Sequence, residues 1–284
     1  MIRLVALKSR QTGYSTLAEG FMSWSVMLNE NTNGLIVAHD VPTAETLFGI
    51  CKTYYDYLDP SIKPIKRYGT KREFVFENPS DTLRPQNPGL GSKLIITSAN
   101  NMASGIGRTL RAVHLSELAR FGSHEGIIDG IFPALARKPG TICIMESTAQ
   151  YAGDWFRDMC EKAARGEGDY QFVFVPWFLQ PEYRVPLFSG ERLTLTLEER
   201  HWAEQYHLDP EQIKYFRMER ENTGNDMLFT QNYPFTAEEA WVTPGDQVFP
   251  WDKLEQQKRE HCRPPEAIGD VMAGGKVLES PMGK

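Results

Sequence analysis

The chain has 284 residues, enough for one large domain or one domain with a small appendage. Its hydrophobic content of 41% and charged content of 24% are ordinary for a soluble globular protein, and no apolar run approaches the ~18 residues of a membrane helix. A net charge of −6 argues against a broad nucleic-acid-coating face, although it leaves room for a local basic contact, and the four cysteines form no C-x-x-C pair and no zinc pattern, as fits a reducing cytosol.

Met1 leads straight into a strand, so no signal peptide is expected. The apolar run Leu4–Leu7 ends in a polar loop, Lys8-Ser9-Arg10-Gln11-Thr12-Gly13-Tyr14-Ser15-Thr16, and a helix-compatible segment runs from Leu17 to Asn29. Leu35–Ala38 reads as a buried parallel strand, and Thr43 to Leu58 as a helix with Ala44, Leu47, Phe48, Cys51, Tyr54 and Leu58 at helical spacing. Lys63, Lys66, Arg67, Lys71 and Arg72 form a basic run that reads first as a solvated turn region. Glu73–Phe76 and Lys93–Thr97 are short strands that either pair as an extended hairpin or feed the same sheet.

Asn100 to Thr109 is polar and glycine-bearing and reads as a loop. Apolar residues dominate from Leu110 to Leu115, which leads into Ser116-Glu117, and Ile127 to Leu135 has a helical pattern interrupted by Pro133. Thr141–Met145 is another buried strand, carrying Cys143 and ending in Glu146-Ser147-Thr148-Ala149. Trp155–Ala164 is a helix and Tyr170–Val175 the last clear strand. Strands and helices therefore alternate to about residue 177, which predicts an α/β fold: a mostly parallel sheet covered by helices on both faces. Beyond Pro181 two charged helices, Leu195 to His207 and Asp209 to Glu221, form a small helical C-terminal subdomain, Thr236–Trp241 reads as a short helical turn, and the segment from Trp251 reads as a connector.

Strand, glycine-bearing loop, hydroxyl pair and helix make the layout of a phosphate-binding loop, in which backbone N–H groups at a helix N-terminus face an anion. The loop departs from G-x-x-x-x-G-K-[ST] twice: aligned on Gly13, Lys8 holds the first glycine position and Tyr14 the lysine position. Lys8 can reach the same phosphates from the strand–loop junction, and Arg10 supplies a second cation with a planar fork. The alternative is a surface turn. In a parallel sheet the C-terminal strand ends share one edge, so the loop, Glu117 and Ser147-Thr148 can meet around one nucleotide. Glu117 is then the general base that polarises the attacking water, and Ser15 ligates Mg²⁺ through its hydroxyl. Ser116 carries no charge and can only hold a metal-bound water. Ser147 and Thr148 also suit a helix N-cap, a role compatible with the first.

The loop Lys8–Ser15 resembles the deviant Walker A motif of tailed-phage terminase large subunits, some of which carry their lysine at the start of the loop. Val113-His114-Leu115-Ser116-Glu117 resembles their variant Walker B, Ser147-Thr148-Ala149 their coupling motif, and Asn232-Tyr233-Pro234, Glu239-Ala240-Trp241, Gly245 and Phe249 the stretch closing their ATPase domain. The resemblance covers about residues 3 to 250. It implies a P-loop ATPase core over 1–184, a helical subdomain over 185–250 and a connector over 251–284. It also implies an ATP- and Mg²⁺-dependent motor that drives double-stranded DNA into a procapsid, as a ring on the portal protein, with a small terminase subunit as partner, in the host cytoplasm and away from membranes. Lys8, Ser9, Arg10, Gln11, Thr12, Gly13, Tyr14, Ser15 and Thr16 would bind nucleotide, Arg10 would act within one subunit, Arg108 would be a finger reaching a neighbour, and Ser147 and Thr148 would sense the γ-phosphate. The family's upstream adenine clamp and C-terminal nuclease have no counterpart in this sequence, so no DNA cleavage is expected from it. The rival readings are a helicase-like or remodelling ATPase, and an inert fragment that only binds partners.

Overall fold

The computed structural model describes residues 1–105, 107–150, 154–241, 269–271 and 277–279. The chain divides into two compact units, 1–242 and 243–284. The described residues of the second form one antiparallel pair, β9 (Gly269–Val271) and β10 (Val277–Glu279). Gly245 and Phe249, and the expected connector apart from β9 and β10, lie outside the described residues.

The first unit is built on an eight-stranded sheet. In chain order its strands are β1 (Ile2–Lys8), β2 (Asn33–Ala38), β3 (Tyr68–Gly69), β4 (Glu73–Glu77), β5 (Gly89–Ser98), β6 (Ala112–Ser116), β7 (Ile142–Ser147) and β8 (Gln171–Val175). They lie side by side as β3-β4-β5-β2-β6-β7-β1-β8. Every pairing from β5 to β8 is parallel. At one edge β4 runs antiparallel to β5 and β3 antiparallel to β4, so β4 and β5 both pair as a hairpin and feed the same sheet. The sheet has helices on both faces, as the alternation of strands and helices predicts.

The layering follows from side-chain alternation along each strand. Leu35 and Val37 of β2, Val113 and Leu115 of β6, and Cys143 and Met145 of β7 point to one face. There they pack under α4 (Trp155–Ala164) through Phe156 and Cys160, and under the segment Ile127–Ile131. Ile36 and Ala38 point to the other face, under α1 (Tyr14–Met27) and α2 (Val41–Asp56), through Met22, Val26, Leu47, Phe48 and Cys51. The basic run lies beside this layer: Lys66 sits over the rings of Tyr55 and Phe74, and Arg67 pairs with Glu77.

Three local expectations are revised. Ala99–Gly105, read as loop, winds into a 3₁₀ segment. Ile127–Leu135 is not one regular helix: a π-turn over Ile127–Ile131 leads into a single α-turn, α3 (Phe132–Ala134), where Pro133 sits in the first turn and needs no N–H partner. Asp154, rather than Ser147 or Thr148, caps α4.

α2 illustrates how the sequence sets an element's start. Asp40 Oδ1 accepts the Thr43 N–H at 2.8 Å, and a proline occupies the first turn. The Thr43 side chain and then its backbone N–H hold the Asp40 carboxyl below its usual range. Asp40→Ala is expected to cost about 1 kcal/mol, a fall of roughly 2–4 °C in thermal midpoint at pH 7. Because the folded-state pKa is depressed, the cap's contribution is complete above the unfolded carboxyl's range. It is lost as the pH falls through the folded value, so the difference from wild type should shrink in acid; melting curves at pH 7 and pH 3 check this.

Beyond β8 the chain makes α5 (Leu197–Tyr206), α6 (Pro210–Thr223) and α7 (Asp226–Asn232). Capping boxes at Thr196/Glu199 and Asp209/Gln212 start α5 and α6. Their apolar sides close on Trp177 with Tyr183, Ile213, Phe216, Phe229 and Phe235, an aromatic cluster separate from those of the sheet. α7 has no counterpart in the sequence reading; it is only seven residues long. Among the described residues no helix is long and apolar enough to cross a membrane.

Candidate nucleotide site

The phosphate-loop candidate sits where β1 leaves the sheet. Ser9 N–H donates to Val175 O at 2.9 Å, which extends the β8 pairing by one residue and holds Lys8 at the strand's last position. The chain then turns sharply, with Gln11 at φ 51° and Gly13 at φ 72°. Glycine takes the left-handed region without a Cβ penalty, and α1 begins on the next residue. No side chain caps this helix, which leaves its first-turn amides available to an anion.

The outer side of the loop is held by main-chain atoms. Arg10 N–H donates to Asn232 O at 3.1 Å, Tyr183 O–H donates to Arg10 O at 2.6 Å, and Gln180 Nε2 donates to Gln11 O at 3.1 Å. The helical layer thus fixes the loop's backbone and leaves the side chains of Arg10 and Gln11 facing the cavity.

Strand register explains which groups meet beneath the loop. Ala6 is level with Glu146, Glu146 with Ser116, and Ser116 with Ala38. Level residues of parallel strands point to the same face, and a shift of one residue points to the other. Lys8, Glu146, Ser116 and His114 therefore share the α1 face, whereas Ser147 points away. Lys8 Nζ lies 2.9 Å from Glu117 Oε1 and 3.3 Å from Glu146 Oε2. Ser15 and Ser116 donate their hydroxyls to Glu146 Oε1 at 2.9 and 2.8 Å. Thr148 Oγ1 donates to Glu117 Oε2 at 3.4 Å, and Arg120 Nε lies 3.5 Å from the same oxygen. Glu117 has φ 57°, ψ 45°, a left-handed conformation costly for a glutamate, which turns its carboxylate off the end of β6 into the cavity.

Deeper in, the polar chain continues. His114 Nε2 is 3.4 Å from Glu146 Oε1, His114 Nδ1 is 2.7 Å from Glu19 Oε1, and Cys51 Sγ donates to Glu19 Oε2 at 3.1 Å. Burial opposes charge on His114, but Glu19 and Glu146 outweigh it and raise its pKa to about 9. Burial likewise pushes Glu146 up, yet Lys8, His114 and Ser116 hold it well below the usual carboxylate range. Burial works against the Lys8 ammonium, but the two glutamates more than compensate and its pKa is raised.

Above these groups lies a cavity of about 310 Å³, at the small end of ligand pockets (roughly 300–1,000 Å³). Lys8, Arg10 and Gln11 line it from the loop, His39 and Thr43 from the β2–α2 junction, Glu117 and Arg120 from the end of β6, and Thr148 from the end of β7. Three permanent cations, Lys8, Arg10 and Arg120, around the Glu117 carboxylate make a place for a polyphosphate with a metal.

The expected residues divide as follows. Lys8, Arg10, Gln11, Glu117 and Thr148 face the cavity, and Ser15 and Ser116 meet just below it. Ser9 is buried in the strand extension, and Thr12 points its hydroxyl to within 3.5 Å of Ser9 O. Gly13 shapes the turn, and Thr16, in the first turn of α1, is exposed. Tyr14 packs toward Ile142 and Ile144 under the sheet; burial and then Glu146 push its hydroxyl up to about 12, so it stays neutral. Ser147 does not face the cavity: its Oγ accepts the Ala119 N–H at 3.2 Å and ties β7 to the turn after Glu117. Arg108 is exposed on the turn before β6 and is absent from the described cavity lining.

Sequence reasoning missed Glu146, His114, Glu19, His39, Thr43 and Arg120. A signal existed for two of them: Glu19 follows Ser15 by one helical turn and is the one acid on a helix face that also buries Ala18, Met22 and Val26, and His114 alternates with Val113 and Leu115 in a buried strand.

No protein-family model matches the chain, and no curated protein matches it. Solved structures do. The ATPase domain of the large terminase of Thermus phage P74-26, in an arginine-to-alanine variant, matches with a TM-score of 0.58 at 19% identity, covering 84% of this chain and 89% of that one. The unsubstituted domain of the same phage matches with a TM-score of 0.54 at 18% identity, covering 81% and 86%. At that identity the likeness is one of fold: the chain has the architecture of a phage large-terminase ATPase domain.

Proposed function

We propose that this chain hydrolyses ATP as the motor portion of a phage terminase large subunit and drives double-stranded DNA into a procapsid. The observation that carries the reading is the Lys8 amine, 2.9 Å from Glu117 and 3.3 Å from Glu146, at the mouth of a cation-lined cavity beside an uncapped helix N-terminus. With nucleotide present, Lys8 and the α1 amides bind the phosphates, Arg10 and Arg120 add charge from opposite walls, and Glu117 takes the proton of the attacking water. Magnesium, held through the Ser15 hydroxyl, neutralises phosphate charge. Thr148, through its contact with Glu117, is the better placed of the two coupling candidates.

The burial of Tyr14 under the sheet weighs against an inert fragment, because the residue at the usual lysine position is absorbed by packing while Lys8 occupies the site. The partners follow from the same reading: double-stranded DNA, the portal protein, a small terminase subunit and further copies in a ring, at the procapsid portal in the host cytoplasm, with Arg108 reaching a neighbouring subunit.

The test is Mg–ATP binding and turnover by the purified chain, followed by turnover with portal-bearing procapsids and linear duplex. Saturable binding below millimolar ATP and stimulation by procapsid plus duplex are expected. Absence of binding at millimolar Mg–ATP overturns the reading. Strand separation on an overhang duplex, without procapsid-dependent DNA uptake, would replace it with a helicase.

A further inference from the structure

We infer that Glu146, at the tip of β7, supplies the carboxylate that holds Mg²⁺ beside Ser15, the charge that Ser116 at the tip of β6 lacks. The inference rests on the nucleotide-binding reading above and assigns one residue within it.

Mg²⁺ is a hard cation that takes oxygen ligands and is bound through one or two carboxylates together with phosphate oxygens. A hydroxyl at the start of α1 offers an oxygen without charge, and Ser116 offers another. Glu117 is turned by its left-handed backbone toward Lys8, Thr148 and Arg120. Glu146 is the acid that touches both serines, and both hydroxyls converge on its Oε1.

Its second oxygen is the telling one. Glu146 is fully buried, yet Oε2 accepts no hydrogen bond among the described residues. Lys8 Nζ, its cation at 3.3 Å, is closer to Glu117, at 2.9 Å. This buried oxygen therefore depends on an ammonium that it shares with a second carboxylate, and it needs another positive partner once that ammonium turns to phosphate.

The placement of the charges agrees. Three carboxylates (Glu19, Glu117, Glu146) meet three cations (Lys8, His114, Arg120), but Arg120 lies beside Glu117 and His114 is closest to Glu19. When Lys8 turns to phosphate, Glu146 is left with the His114 contact at 3.4 Å, and a divalent cation next to Ser15 replaces the charge that Lys8 takes away. The register keeps the displacement of the acid small. Ser116 and Glu146 are level neighbours on adjacent strands, so moving the acid from one tip to the other displaces it by about one strand spacing, ~4.8 Å. The longer glutamate side chain offsets part of that distance.

The test reads metal dependence of binding rather than turnover. ATP affinity is measured with Mg²⁺ and with EDTA, and Mn²⁺ retention by the protein–ATP complex is followed by electron paramagnetic resonance. For the wild type, Mg²⁺ should tighten ATP binding at least tenfold, the scale on which carboxylates around a metal act. Glu146→Gln should reduce that enhancement to about twofold and release Mn²⁺, while metal-free ATP binding persists. Ser116→Asp combined with Glu146→Gln, which returns the acid to the neighbouring tip, should recover the enhancement. It also serves if the single variant proves too unstable, with folding checked by thermal melting.

A wild type whose ATP affinity ignores Mg²⁺, a folded Glu146→Gln that keeps the wild-type enhancement, or a folded double variant that fails to recover it overturns the assignment. Absence of ATP binding by the wild type, with or without metal, instead overturns the reading on which it rests.

Discussion

Glu117→Gln should bind Mg–ATP as the wild type does and turn it over 10²–10⁴-fold more slowly, the usual contribution of a positioned general base. The substitution keeps shape and hydrogen-bonding length and removes only the charge and the basic lone pair. Lys8 keeps its second carboxylate, Glu146, so its position for phosphate binding survives. Thr148 and Arg120 keep an oxygen to contact. Steady-state turnover alongside equilibrium binding separates the two effects. Turnover within a few-fold of wild type would remove Glu117 from the chemistry and leave it as a tether for Lys8.

Lys8→Ala is expected to act on both binding and stability. A charge-assisted contact to phosphate is worth roughly 1.5–3 kcal/mol, so ATP affinity should fall by about one to two orders of magnitude. Arg10 does not replace the lost amine, because its backbone is fastened at both N–H and C=O to the helical layer. Removing Lys8 also leaves Glu117 and Glu146 without their shared cation. Breaking a buried pair from one side costs about 3–5 kcal/mol, so the thermal midpoint should drop in the absence of ligand. Calorimetric melting and ATP titration check the two parts. Unchanged ATPase activity in this variant would show that the lysine at the head of the loop is a structural counter-ion and no phosphate ligand.

The layered sheet was legible in the sequence because its evidence is local and repeated. Runs such as Leu35–Ala38 and Ile142–Met145 are apolar throughout, as strands covered on both faces must be. Trp155–Ala164 was bounded correctly at both ends, with a hydrophobic stripe and a following glycine. What escaped depends on relations between distant segments. Whether Glu146 or Ser147 faces the loop is a question of parity, settled only when β7 is placed between β1 and β6. Ser147-Thr148 drew attention as the polar end of that strand, but of the two only Thr148 reaches the cavity, while the buried acid one step earlier touches both serines. Glu19 and His114 are charged residues on apolar faces, and each makes sense only through the other. α7 was missed for a simpler reason: seven residues span barely two turns, too few for a period to declare itself.

The fastening of the loop by Tyr183, Asn232 and Gln180 has a mechanical consequence. Because the attachment uses main-chain atoms of residues 10 and 11, any recoil of the cradle on loss of its anion must either stretch three hydrogen bonds or tow those three residues along. Tyr183 is itself wedged among stacked rings that include Tyr215 and lead on to Trp177, so a tug at one point is shared by the whole aromatic block instead of dying out in a flexible tail.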